Sequence, residues 1–202
     1  TNTDLQGFLE PLIKTDFKGS NAIILGCGGS ARAIGVGLEE LGFKNVTVIA
    51  RKQSSLDIFL KEINNKSSSL SNSKTIFKGL LEGNKDIIQE IKSTELIINT
   101  TPVGMTTMSI KNKEISKIPL GKEIWENLHE ETTLYDLIYN PRPTPWLELG
   151  KKQGCQTIDG LEMLVAQGAA SLKLWSLIEN IPINEMRNAA LKELKELVLS
   201  KD

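Results

Sequence analysis

The sequence lacks almost everything that would mark an unusual environment. It has two cysteines, Cys27 and Cys155, whose spacing suits neither a metal knuckle nor a disulfide framework. Its one histidine, His129, sits among Glu126, Glu130 and Glu131 and reads as a surface residue rather than a catalytic base. No apolar run approaches the roughly 20 residues that span a bilayer, and no signal peptide is visible at the start. Charge of one sign is not in excess either. With 24 basic and 25 acidic residues, the net charge of −1 removes any broad pull toward nucleic acid or an anionic membrane. These absences fit a reducing, cytoplasmic setting. The chain opens at Thr1 and runs directly into helical pattern, which hints at a piece of something longer.

What is present is ordinary in bulk and specific in detail. The 202 residues, 40% of them hydrophobic, suffice for one large domain or two small ones. The organising stretch is Asn21 to Ala33. Ala22 to Leu25 form a short β-branched run that predicts a buried strand. Gly26, Gly28 and Gly29 then permit a tight turn whose backbone can approach a ligand. From Ser30 the pattern becomes helical, with Ala33, Ile34, Gly37, Leu38 and Leu41 on one face. Strand, glycine turn and helix start together make a cradle for a pyrophosphate, with Ala31 at the third position of the glycine motif. The bland alternative is a strand-turn-helix connection without a ligand.

A second strand over Asn45–Ala50 ends at Arg51, Lys52, Gln53 and Ser54. At this strand tip an acid would hydrogen-bond the 2′-hydroxyl of NAD and repel the extra phosphate of NADP. Arg51 and Lys52 stand there instead, which favours NADP; a solvated basic pair is the alternative. Farther on, Ser54 to Asn65 predicts a helix with Leu56, Phe59, Leu60 and Ile63 inward, and Asn64 to Ser73 predicts a mobile polar loop. Strands are predicted at Thr75–Phe77, Leu96–Ile98, Thr133–Tyr139 and Cys155–Ile158. Helices are predicted near Asp86–Ile91, over Thr144–Lys152, from Leu161 to about Glu179, and over Asn184–Leu199 with Met186, Ala189, Ala190, Leu194 and Leu197 inward. An opening helix, capped by Thr3 or Asp4, turns Phe8, Leu9, Leu12 and Ile13 to the core. Alternating strands and helices imply an α/β fold, a Rossmann-like doubly wound parallel sheet with flanking terminal helices. The loop from Asn99 through Thr100, Thr101, Pro102 and Gly104 to Met105 lies beyond a strand's carboxyl end. It either lines the same crevice or simply shapes a turn.

Five short motifs occur in one order: Asn2-Thr-Asp4 with Gly7-Phe8; Gly26-x-Gly-Gly29 with Ala33; Asn99-x-Thr-Pro102 with Gly104-Met105; Asp136-x-x-Tyr139-x-Pro141; and Gly160-x-x-Met-Leu-Val-x-Gln167. Together they resemble shikimate dehydrogenase, the NADP-dependent family that reduces 3-dehydroshikimate to shikimate in aromatic amino acid biosynthesis. The resemblance runs from Thr1 to about Trp175 and implies the cofactor half of a two-domain enzyme. Residues 1–20 would be a bridging helix and connector, 21–160 the NADP-binding domain, and 161–202 terminal helices reaching toward a substrate domain.

By this resemblance, Asp4 is the carboxylate that pairs with a catalytic lysine, and Asp4, Tyr139 and Gln167 face the substrate. Gly26, Cys27, Gly28, Gly29 and Ser30 would hold the pyrophosphate, while Ala50, Arg51, Lys52 and Ser54 would hold the adenosine phosphate end. Leu137 and Gly160 would flank the nicotinamide, and the small hydroxyls of Thr100 and Thr101 suit a nicotinamide ribose or phosphate. The family's usual Asn-Arg-Thr is Ala50-Arg-Lys52 here, so one contact to the extra phosphate is lost. No lysine of this chain carries the family's lysine motif, so the 202 residues alone are expected to bind NADP(H) and turn over poorly or not at all. The expected partners are shikimate and 3-dehydroshikimate, with a homodimer compatible and neither nucleic acid, membrane nor metal expected. Rival readings are a non-catalytic NADP sensor, a quinate/shikimate dehydrogenase and, ranked low, an S-adenosylmethionine enzyme.

Overall fold

The computed structural model describes residues 3–67, 75–105, 118–121, 125–176 and 180–199. One sheet contains β1 (Asn21–Leu25), β2 (Asn45–Ala50), β3 (Ile76–Leu81), β4 (Leu96–Asn99), β5 (Thr133–Asp136) and β6 (Gln156–Ile158). Its order is β3-β2-β1-β4-β5-β6, and every neighbouring pair is parallel. The helices among the described residues are α1 (Thr3–Lys14), α2 (Gly29–Glu40), α3 (Gln53–Ser67), α4 (Asp86–Lys92), α5 (Pro145–Lys152), α6 (Gly160–Ser176) and α7 (Ile183–Leu199). This is the doubly wound arrangement expected. The direction of winding reverses between β1 and β4, so the crevice at their carboxyl ends is where a ligand fits.

A parallel sheet covered on both sides needs strands that are apolar on both faces. Successive residues of β1 and β4 accordingly enter opposite layers. Ala22, Ile24, Leu96 and Ile98 join Phe8, Ile34, Leu38 and Phe59 on one side. Ile23, Leu25 and Ile97 join Ile87, Ile91, Leu134 and Trp146 on the other.

The opening helix is built into this core. It crosses α6 at Gly7, where a Cβ would stand 2.7 Å from both the Gln167 Cγ and the Met163 carbonyl oxygen. One residue on, the buried Phe8 stacks on Tyr135 with ring centroids 5.4 Å apart. The Gly7-Phe8 pair therefore has a packing explanation: one residue lets the helices touch and the other anchors them to the sheet.

Five expectations are corrected. The strand expected at Thr75–Phe77 starts one residue later and continues to Leu81. Lys78 and Gly79 interrupt the apolar pattern without ending it, because Lys78 pairs with Glu90 at 2.5 Å and Gly79 lies directly beneath Leu56. The strand expected to reach Tyr139 ends at Asp136, whose carboxylate accepts from the Ile138 N–H at 3.1 Å and turns the chain. The loop expected from Asn64 begins later, since α3 runs through Ser67; positions 68–73 lie outside the described residues. Ile13, expected inward, is 62% exposed, and Ala189 on α7 is exposed as well. The side chain of Leu197 and the end of the helix expected at Glu179 lie outside what is described. Ile13 lies off the Phe8–Leu12 stripe and lines an open cleft of about 610 Å³ between α1, α6 and α7.

The crossing at Gly7 gives a direct test. Gly7→Ala must push α1 off α6 against a backbone carbonyl, and is expected to lower stability by about 1–3 kcal/mol. Chemical denaturation checks this; an unchanged midpoint would show that the helices are not in close contact.

Candidate cofactor site

The chain reaches the crevice through β1, whose ladder continues one bond further as Gly26 N–H donates to the Ile49 carbonyl at 2.8 Å. Gly26 has φ +99, and a Cβ there would lie 2.8 Å from Thr100 Oγ1. The protein's own backbone and packing thus demand glycine at this point. Gly28 and Gly29 differ. Gly28 has φ −81 and ψ −162, a conformation open to any residue. A Cβ on either glycine would meet nothing within 4 Å. Nothing in the fold requires these two glycines, so their value lies in the unobstructed approach they leave above the turn.

Helix α2 starts beneath that space. Gly28 supplies no side-chain cap, and its first turn carries no acidic residue. The leading N–H groups and the positive end of the helix dipole are therefore left for an anion. The turn is held from below by Arg32. Its Nη1 donates to the Cys27 carbonyl at 3.3 Å, its Nε donates to Glu62, and its guanidinium lies 5.9 Å from the Phe59 ring centroid.

Two adjoining cavities line the crevice. One, of about 380 Å³, is bounded by Gly26, Cys27, Gly28, Ala50, Arg51, Lys52, Thr100 and Thr101, with Ser55, Glu82 and Pro119. The other, of about 340 Å³, shares Thr100, Thr101 and Pro102 and adds Ser30, Met105, Leu137, Ile138, Tyr139 and Asn140. Both basic residues of the second strand tip therefore face the same space as the glycine turn.

The wall between the cavities is fixed by a buried polar network. Asn99 Nδ2 donates to Asp136 Oδ1 at 3.0 Å and to the Val103 carbonyl at 3.2 Å. Asn99 Oδ1 accepts from Thr101 N at 3.0 Å and from Thr101 Oγ1 at 2.7 Å. Asp136 Oδ2 accepts from Thr144 Oγ1 at 2.7 Å, and Thr144 caps α5 by accepting from Leu147 N at 3.3 Å. The Asn99–Met105 segment is thus both a shaped turn and a cavity wall. Burial is the main force on Asp136 and pushes its carboxyl up to about 6, against the opposing hydrogen bonds.

Of the expected site residues, Gly26, Cys27, Gly28, Ala50, Arg51, Lys52, Thr100 and Thr101 line the first cavity, and Ser30, Leu137 and Tyr139 the second. Gly29 opens α2 beside them. Ser54 lies in the first turn of α3, but it is Ser55 that lines the cavity. Gly160 supports the wall from behind: a Cβ there would come 2.1 Å from the Leu137 carbonyl oxygen. Asp4 and Gln167, 163 residues apart, are joined by a hydrogen bond of 2.8 Å from Gln167 Nε2 to Asp4 Oδ1. They line neither cavity. Tyr139 is 42% exposed at the cavity, whereas Tyr135 is fully buried, its phenol pushed far above the ordinary range by burial and then by Asp159 and Glu162. His129 is exposed, as expected. No helix among the described residues is long and apolar enough to cross a membrane, and none of them form a cluster fit to hold a metal ion.

No protein-family model matches the chain. It is 42% identical over 193 residues to the shikimate dehydrogenase (NADP(+)) of Prochlorococcus marinus subsp. pastoris, covering 96% of this chain and 63% of that protein. Nearly the whole chain is therefore similar to part of a shikimate dehydrogenase. Two solved shikimate dehydrogenases share the fold. The Listeria monocytogenes protein, in complex with shikimate and NAD, matches with a TM-score of 0.78 and 25% identity over 93% of this chain and 62% of its own. A second, in complex with NADP+, matches with a TM-score of 0.73 and 31% identity over 96% of this chain and 62% of its own. The chain thus spans less than two thirds of the length of these shikimate dehydrogenases.

Sequence reasoning missed Ser55, Glu82 and Pro119 on the cavity wall. The signal for Glu82 is its place just beyond the carboxyl end of β3, which runs four residues past the end that its apolar run suggests.

Asp136 generates a prediction about pH. Its folded-state value of about 6 exceeds the unfolded carboxylate's, so the folded state takes up the proton first. Its contribution to stability is therefore greatest below about pH 4 and is lost as pH rises through 6. Asp136→Asn removes this slope. Denaturation of both proteins between pH 4 and 7 should show a difference that drifts by about 1–3 kcal/mol, in the wild type's favour toward acid. Parallel profiles would mean that the carboxyl is not desolvated.

Proposed function

We propose that this chain is the NADP(H)-binding part of an enzyme that reduces 3-dehydroshikimate to shikimate. The observation carrying this reading is the pair of glycines at 28 and 29. They are unrequired by the fold, lie over an uncapped helix start, and share a cavity with Arg51 and Lys52. The residues fit a dinucleotide whose diphosphate accepts hydrogen bonds from the first amides of α2 and whose extra phosphate meets Arg51. Homology to proteins named for NADP(+) supports the same choice.

When bound, NADPH supplies the hydride for the reduction. The chain's own residues bind, orient and exclude. Ser30, Leu137 and Tyr139 surround the second cavity, and the Asn99–Asp136 network keeps its wall from yielding. Asp4 is held by Gln167 across the α1–α6 contact, in keeping with substrate-facing roles for both. A carboxylate in that position favours the charged form of a neighbouring lysine, which would donate the proton that the forming alkoxide needs. No lysine of this chain has the family's surrounding motif, so the 202 residues alone bind cofactor and turn over poorly or not at all. The residue spans 1–20, 21–160 and 161–202 correspond to a bridging helix, the cofactor domain and helices directed at a substrate domain. Polar groups joined as Asp4 and Gln167 are favour this reading over a cofactor sensor.

Titration with NADP+ and NAD+ tests the cofactor assignment. The wild type should prefer NADP+, and Arg51→Ala should erase the preference by weakening NADP+ alone by about 1–3 kcal/mol. Gly28→Ala should leave stability within about 0.5 kcal/mol, because its backbone suits alanine, yet weaken both dinucleotides. A Gly28→Ala protein that binds normally would remove the diphosphate from this turn.

A further inference from the structure

Among the described residues, Glu82 is the one acidic side chain on the wall of the cavity that holds Arg51 and Lys52. The sheet fixes where it stands. Ala50 pairs with Leu81 in register, and Glu82 N–H donates to the Ala50 carbonyl at 2.9 Å. Arg51 and Glu82 are therefore the next residues on two adjacent parallel strands, whose backbones lie about 4.8 Å apart. Glu82 also borders a neighbouring cavity of about 300 Å³ that includes Ile49, Ile87 and Leu120, with Asn84 and Lys85 on its rim. Its side chain is exposed, and among the described residues none of Arg51, Lys52 and Glu82 forms an ion pair. The fold uses Glu82's backbone and leaves its charge unused.

We propose that Glu82 is a specificity-determining residue that tempers the preference for a 2′-phosphorylated dinucleotide set by Arg51. This rests on the cofactor reading above. A phosphate seated by Arg51 brings close to two negative charges into a cavity that already contains a carboxylate, whereas a 2′-hydroxyl brings none. The repulsion thus acts on NADP and leaves NAD nearly untouched. At a separation of several ångströms near a protein surface, it corresponds to roughly three- to tenfold in affinity. The strand tip therefore combines an attractive group with a repulsive one, and the balance between them sets the discrimination.

The experiment is calorimetric titration of the full 202-residue chain with NADP+ and with NAD+, for wild type, Glu82→Gln and Glu82→Asp, at low and high salt. Glu82→Gln should bind NADP+ roughly three- to tenfold more tightly, with NAD+ changed by less than about twofold. The gain should shrink at high salt, and Glu82→Asp, which keeps the charge, should retain the wild-type ratio. An unchanged NADP+ to NAD+ ratio in Glu82→Gln, beside a wild type that does prefer NADP+, overturns this inference alone. A wild type that binds neither dinucleotide overturns the cofactor reading and this inference with it.

Discussion

The crevice depends on a helix start that the protein leaves without a side-chain cap. Most helices in folded proteins begin with a side chain that accepts from their first amides, and α5 does so through Thr144. Helix α2 begins on Gly28 with no such acceptor and no acid in its first turn, although it is packed tightly through Ala31, Ile34 and Leu38. Its first amides and the positive end of its dipole are left open to an anion from outside. The neighbouring features surround that helix start: Gly26 turns the chain with a positive φ, Arg32 braces the Cys27 carbonyl, and Thr100 lines the adjoining cavity.

The network of Asn99, Thr101, Asp136 and Thr144 plays the complementary role. It joins the end of β4, the end of β5 and the start of α5, so that the floor of the crevice is built from groups far apart in sequence. A carboxyl buried this deeply costs stability at neutral pH, and the hydrogen bonds offset only part of that. The return is a wall that cannot relax independently of the sheet, which is what holding a ligand in one orientation requires.

Much of this was legible in the residues. The strand, glycine turn and helix at Asn21–Glu40 announce themselves through local chemistry, and β2 is bounded as its apolar run suggests. Periodicity failed where tertiary contacts overrode it. Lys78 and Gly79 look like the end of a strand until Glu90 and Leu56 are seen against them. Ile13 matches the helical stripe by spacing yet faces an open cleft. Likewise, nothing local to Asp4 or Gln167 indicates that they meet; Gly7 permits it, and only the crossing of α1 over α6 brings it about.

Amide NMR of the isotopically labelled chain tests the central claim most directly. Adding NADP+ or NAD+ should shift the resonances of Gly28, Gly29 and Ser30 alike, because both dinucleotides present the same diphosphate, while Arg51 and Lys52 should respond strongly to NADP+ only. Resonances at the glycine turn that stay fixed while others move would place the nucleotide elsewhere and contradict the account.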